Sequence, residues 1–106
     1  MQIHITGQQI EVTQALRQHV EDKIAKFPRV FDNLTSLNVV LSIEKLQHKA
    51  DGTLGVSGRV FHAVDMKSDM YASIDGMVDK LVAQLRKYKG KLQDHNQAQA
   101  REARYD

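Results

Sequence analysis

Between Met70 and Leu92 the apolar residues Tyr71, Ile74, Val78, Leu81, Leu85, Tyr88 and Leu92 recur at alternating steps of three and four. That spacing lays one continuous hydrophobic seam along an α-helix of about 35 Å, at a rise of about 1.5 Å per residue. Such a helix must bury its seam, and a sheet is the natural partner for it. Asp69 stands where an N-cap belongs, and Asp75 and Asp79 follow in the early turns, where acids complement the helix dipole. Then the charge reverses: residues 80–91 hold five bases and no acid. On a helical wheel Lys80, Lys87 and Lys91 fall roughly opposite the seam, with Arg86 and Lys89 nearer its borders.

This cationic stretch exceeds what the helix terminus explains. Dipole compensation fades beyond the last turn, whereas these bases begin three turns back. The whole chain carries a net charge of only +2, so the remainder is net acidic. Segregation of that kind points to an anion-binding face rather than to solubility alone.

A chain of 106 residues is expected to form one domain with a modest core. Without cysteine, disulfides, thiolate chemistry and zinc-finger frameworks are excluded. The N-terminus has no basic segment followed by an apolar run, so no secretory signal is expected, and no apolar run approaches a membrane span. A soluble cytoplasmic protein, probing no membrane, is the expectation.

The elements read in order as follows. Gln2 to Thr6 alternates like a short strand, and Gly7 breaks it. Thr13 is a fitting N-cap for a helix with Leu16, Val20, Ile24 and Phe27 on one side, which Pro28 should stop near Lys26 or Phe27. Its margins mix Arg17, Lys23 and Lys26 with Glu21 and Asp22. Ser36 to Lys45 is a clear strand with Leu37, Val39, Leu41 and Ile43 in phase. A second runs from about Lys49 to Ser57, Ser57-Gly58 reads as a turn, and a third spans Arg59 to about Met66. In this last strand either Phe61 and Ala63 or Val60, His62 and Val64 could face the core. The sum is an α+β domain, β-α-β-β-β-α: a four-stranded sheet with both helices on one face, its first two strands parallel across a helical crossover. Residues 93–106 carry no core pattern and are either a helical extension or a tail.

No catalytic constellation emerges. The five histidines are scattered, with no second histidine or carboxylate at a metal-ligand spacing. Nucleotide-binding and hydrolase motifs are missing. Asp75 and Asp79 share a helix face, but dipole compensation explains them better than paired-acid chemistry. No enzyme, cofactor or metal is expected. Gly76, placed mid-helix at a cost of about 1 kcal/mol relative to alanine, falls on the outer side of the wheel near Ser73 and Ala83. Close approach of a phosphate backbone and simple tolerance explain it equally well.

From Asp69 to Leu92, D-M-Y-A-S-I-D-G-M-V-D-K-L-V-A-Q-L-R-K-Y-K-G-K-L, the chain resembles the ribosome hibernation-promoting factor family, in its short form. The likeness continues collinearly through M-Q-I-H-I-T-G-Q-Q-I-E-V-T-Q-A-L-R at the start, V-V-L-S-I-E-K before the meander and F-H-A before the long helix. The resemblance implies a fold like that of double-stranded-RNA-binding domains, spanning residues 1–95, with 96–106 as a C-terminal tail. It implies binding to the small ribosomal subunit and its rRNA over the tRNA and mRNA channel, inhibition of translation in stationary cells, and promotion of inactive ribosome dimers beside a separate modulation factor. The chain itself would be a monomer. Carried over by motif, the rRNA-binding residues would be Lys80, Lys87, Lys89 and Lys91, followed by Arg17, Lys23 and Lys26. The family's usual L-x-R-Q-L is here L-V-A-Q-L, with Ala83 in the arginine's place and Arg86, three residues on, as the candidate substitute. The length leaves no room for the dimerisation domain of long members, and the mixed charge of residues 93–106 differs from the acidic tail of the related inhibitor. A free-standing double-stranded-RNA-binding module with other targets is the alternative.

Overall fold

The elements are β1 (Gln2–Gln8), α1 (Gln14–Ile24), β2 (Leu34–Glu44), β3 (Gln47–Val56), β4 (Arg59–Lys67) and α2 (Met70–Arg101). The computed structural model describes residues 2–25 and 34–101, with residues 89–101 described by backbone alone. The sheet runs in the order β1-β2-β3-β4. β1 is parallel to β2, and β2, β3 and β4 form an antiparallel meander, as the sequence predicts.

Register then fixes the faces. Ile3, Leu37, Leu54 and Phe61 pair across the sheet in one row, and Ile5, Val39, Gly52 and Ala63 in another. Residues paired directly across strands share a face. Phe61, Ala63 and Asp65 therefore face the helices, and Val60, His62 and Val64 face away. Of the two phases open to β4, this one buries Ala63 and leaves Val60 69% exposed.

Both helices start where their caps predict. Thr13 Oγ1 accepts from the Leu16 N–H at 3.2 Å, and Asp69 Oδ2 accepts from the Ala72 N–H at 3.3 Å. At the far ends α1 stops short of expectation, and α2 takes the helical extension, one of the two expected alternatives. α1 closes at Ile24 with Ala25 as its C-cap, short of the expected Lys26 or Phe27, which lie outside the described residues. α2 runs past Leu92 to Arg101, because residues 93–101 contain no glycine or proline and are rich in the helix formers glutamine and alanine.

Among the described residues, sixteen buried apolar side chains form one core, including Leu16, Val20 and Ile24 from α1, Leu37, Val39, Leu41 and Leu54 from the sheet, and Ile74, Met77, Leu81 and Leu85 from α2. The buried face of α2 is turned from the expected seam toward Met70, Ser73 and Met77, while Tyr71 is exposed. Ser73 is buried despite its hydroxyl because that hydroxyl is satisfied. Its Oγ donates to the His48 carbonyl at 2.6 Å and accepts from the Lys67 N–H at 2.9 Å.

This rotation corrects the reading of Gly76. It does not lie on the outer side of α2: a Cβ there would collide with the Asp65 carboxylate, so the close approach is to β4. Asp65 is almost fully buried and accepts from the Met66 N–H at 3.0 Å, with Lys67 Nζ and Lys80 Nζ each at 3.4 Å. Burial pushes its carboxyl up, but the Lys67 hydrogen bond and the charges of Lys80 and Lys67 outweigh that, holding it below the usual carboxylate range. Gly76→Ala should therefore reverse the usual sign. In an exposed helix it would stabilise by about 1 kcal/mol; here overpacking should make it destabilise by about 1–3 kcal/mol, readable as a lower urea midpoint at unchanged m-value. A raised midpoint would show that the carboxylate moves aside freely.

The two hairpin turns contrast. Ser57 and Gly58 adopt φ of 47° and 81°, the left-handed pair that a tight hairpin demands and that Ser-Gly announces. Lys45 and Leu46 adopt φ of 49° and 68° with neither glycine nor asparagine. A non-glycine residue pays about 1–2 kcal/mol for that conformation, and Leu46, 91% exposed, has no packing to lose. Leu46→Gly should raise stability by up to about 1 kcal/mol after the entropy of glycine is deducted; a loss would mean that the leucine side chain makes a stabilising contact.

Candidate nucleic-acid interface

Among the described residues β4 pairs only with β3, so one side of its backbone is a sheet edge. α2 runs along that edge and closes it with side chains spaced three and four residues apart. Lys80 Nζ donates to the Val64 carbonyl at 2.8 Å, and Gln84 Nε2 donates to the His62 carbonyl at 2.9 Å. Lys87, next in this row, lines a groove of about 250 Å³ with Arg59, Phe61, Gln84 and Tyr88. Inside it the Arg59 guanidinium lies over the Tyr88 ring, 4.8 Å from its centroid, and Phe61 meets the same ring edge-on at 5.5 Å.

Lys80 and Lys87 are thus not opposite the buried face, as the wheel suggests, but on its β4 flank. The shift follows from the rotation of α2 toward Ser73. Lys80 also shares its charge with Asp65, so part of its field is neutralised. Lys23 is tied likewise: its Nζ lies 3.6 Å from Asp75 Oδ1, and His19 Nε2 lies 2.6 Å from the same oxygen. Asp75 therefore joins α2 to α1 and does more than complement a dipole. Among the described residues Arg17, Arg59, Arg86 and Lys87 have no carboxylate partner. Arg86 and Ala83 are both exposed and, three residues apart, are neighbours on the helix surface. Lys89 and Lys91 continue α2 beyond Tyr88, their side chains outside the described residues, as is Lys26 entirely.

The pattern of the family described as sigma 54 modulation protein / S30EA ribosomal protein matches residues 3–93. The chain belongs to this family. The S30EA match takes in all four strands, both helices up to residue 93, and every cation of the β4 flank. Among its relatives is the ribosome hibernation promoting factor of Escherichia coli strain K12, 48% identical over 95 residues that cover 90% of this chain and all of that protein. Two solved structures share the fold. A ribosomal subunit interface protein from Coxiella burnetii superposes with a TM-score of 0.78 at 30% identity, covering 85% of this chain and 99% of the other. The N-terminal domain of Protein Y from Thermus thermophilus gives 0.77 at 31% identity, with 83% and 99% covered.

Arg59 is the residue that sequence reading misses in this S30EA member. It opens β4 with nothing local to distinguish it, and only the packing of β4 against α2 brings it to Lys87 and Tyr88. The remaining polar pairs suggest no chemistry. His62 Nε2 lies 2.8 Å from Asp51 Oδ1 on the sheet face away from the helices, and no group of three metal-binding side chains occurs among the described residues. No helix among them is long and apolar enough to cross a membrane.

Proposed function

We propose that this protein is a ribosome hibernation factor that binds the small ribosomal subunit at the tRNA and mRNA channel. It acts by steric exclusion rather than catalysis. Filling the channel blocks tRNA and mRNA, translation stops in stationary cells, and the occupied ribosomes pair into inactive dimers beside a separate modulation factor. The observation that carries this reading is the 48% identity to a relative, matched over its full length, that is named ribosome hibernation promoting factor. The charge distribution supports it, since the exposed Arg86 and Lys87, which have no carboxylate partner among the described residues, sit within a stretch of five bases in a chain of net charge +2. Arginine and lysine there would contact rRNA phosphates, with affinity set by counterion release. Residues 1–95 would form the ribosome-binding unit of a cytoplasmic monomer, with 96–106 as its tail.

Sedimentation of ribosomes from stationary cells with and without this protein tests the reading. The protein should travel with small subunits, and its removal should deplete inactive dimers. A chain that stays at the top of the gradient would reject it, and retention only on RNA duplexes would favour a free-standing RNA-binding module.

A further inference from the structure

The groove between β4 and α2 combines features that bare phosphate binding does not need. Phosphate asks for cations alone, yet Arg59 and Lys87 here flank two aromatic rings, Phe61 and Tyr88. The Arg59 guanidinium is planar, lies over Tyr88 on one side, and has no carboxylate partner among the described residues. Phe61 braces the Tyr88 ring from its edge. A second flat ring can stack on the open face of the guanidinium, continuing the Tyr88–Arg59 pile. Gln84 commits its Nε2 to the His62 carbonyl, which leaves its Oε1 as an acceptor at the groove wall. Lys87 supplies a mobile cation on the same wall.

We propose that this groove is a binding subsite for one unpaired RNA nucleotide. The base stacks on Arg59, a base amino group donates to Gln84 Oε1, and the adjoining phosphate pairs with Lys87. Duplex RNA is a poor occupant because its base faces are hidden in the stack, whereas an unstacked base offers its π-face to arginine or an aromatic ring. The inference rests on the reading of the chain as an rRNA-binding factor and adds to it: one contact reads a base, not only the backbone.

The test compares a single-stranded hexa-adenylate with an abasic ribose-phosphate strand of equal length, titrated into the full chain and followed by NMR of the Tyr88 ring and the Arg59 side chain. Hexa-adenylate should bind about tenfold tighter than the abasic strand, the range of one base stack, and shift both sets of signals. Arg59→Lys keeps the charge and removes the plane, so it should abolish that advantage, with hexa-adenylate falling to the affinity of the abasic strand. Lys87→Gln should weaken both strands alike. Equal binding of the two strands by the unaltered chain, or an unchanged preference in Arg59→Lys, overturns the subsite. Because Arg59 is exposed, its variant should fold normally, and amide spectra check this. Binding of the unaltered chain to purified small subunits, measured in parallel, tests the ribosomal role separately: it can persist while the base preference fails, or fail while the preference persists.

Discussion

Leu81→Ala should remove about 2–5 kcal/mol of folding stability, the range for deleting a buried leucine side chain. Leu81 is fully buried at the centre of the α2 face, where it meets β3 at Gly52. A Cβ on Gly52 would lie 3.3 Å from Leu81 Cδ1 and press into Met77, so the backbone of β3 approaches the helix directly at this point. Leu85→Ala, equally buried, should behave in the same way. Urea denaturation followed by circular dichroism reads the change. A loss below about 0.5 kcal/mol, ordinary for surface sites, would contradict the packing of α2 on the sheet.

The second large effect is on binding. Arg86→Glu combined with Lys87→Glu should leave folding intact, since both residues are exposed and neither has a carboxylate partner among the described residues. If each side chain holds an rRNA phosphate, charge-assisted contacts of about 1.5–3 kcal/mol apiece are lost, and affinity for small subunits should fall by a factor on the order of 100 or more. The slope of log affinity against log salt should also shrink by about one per lost contact. Lys80→Gln makes an internal contrast. Lys80 holds the Val64 carbonyl and the Asp65 carboxylate, so its removal should lower stability as well as binding. Loss of the lysine would also release part of what holds the Asp65 carboxyl low, and its pKa should rise.

Most of the architecture is legible in the chain because it rests on local rules. Thr13 and Asp69 announce helix starts, Ser57-Gly58 announces a hairpin, and alternation along β2 announces a buried face. The misses share a different physical origin. Lys45 and Leu46 form a tight turn without turn residues, because pairing of Glu44 with Gln47 imposes a conformation that their own preferences oppose. Ser73 and Gly76 look like solvent-side residues by hydropathy, yet Ser73 is buried and hydrogen-bonded to β3 and β4, and Gly76 is half-buried against the Asp65 carboxylate. Turning the helix toward them carries Lys80 and Lys87 to the β4 flank. The candidate interface was legible as a cluster of charge on α2, but not as a surface. Which cations are free depends on acids distant in sequence, Asp65 for Lys80 and Asp75 for Lys23. The contribution of Arg59 depends on an aromatic ring from another element.

In the proposed function the cations of α2 and β4 bind the small ribosomal subunit. The most direct measurement is equilibrium binding of the full chain to purified small subunits, with an RNA duplex of generic sequence as competitor, across a range of salt. Subunit binding should survive a large excess of duplex, weaken steeply with salt, and be lost in the Arg86→Glu, Lys87→Glu variant. Displacement by equimolar duplex, or full binding by the charge-reversed variant, would contradict that function.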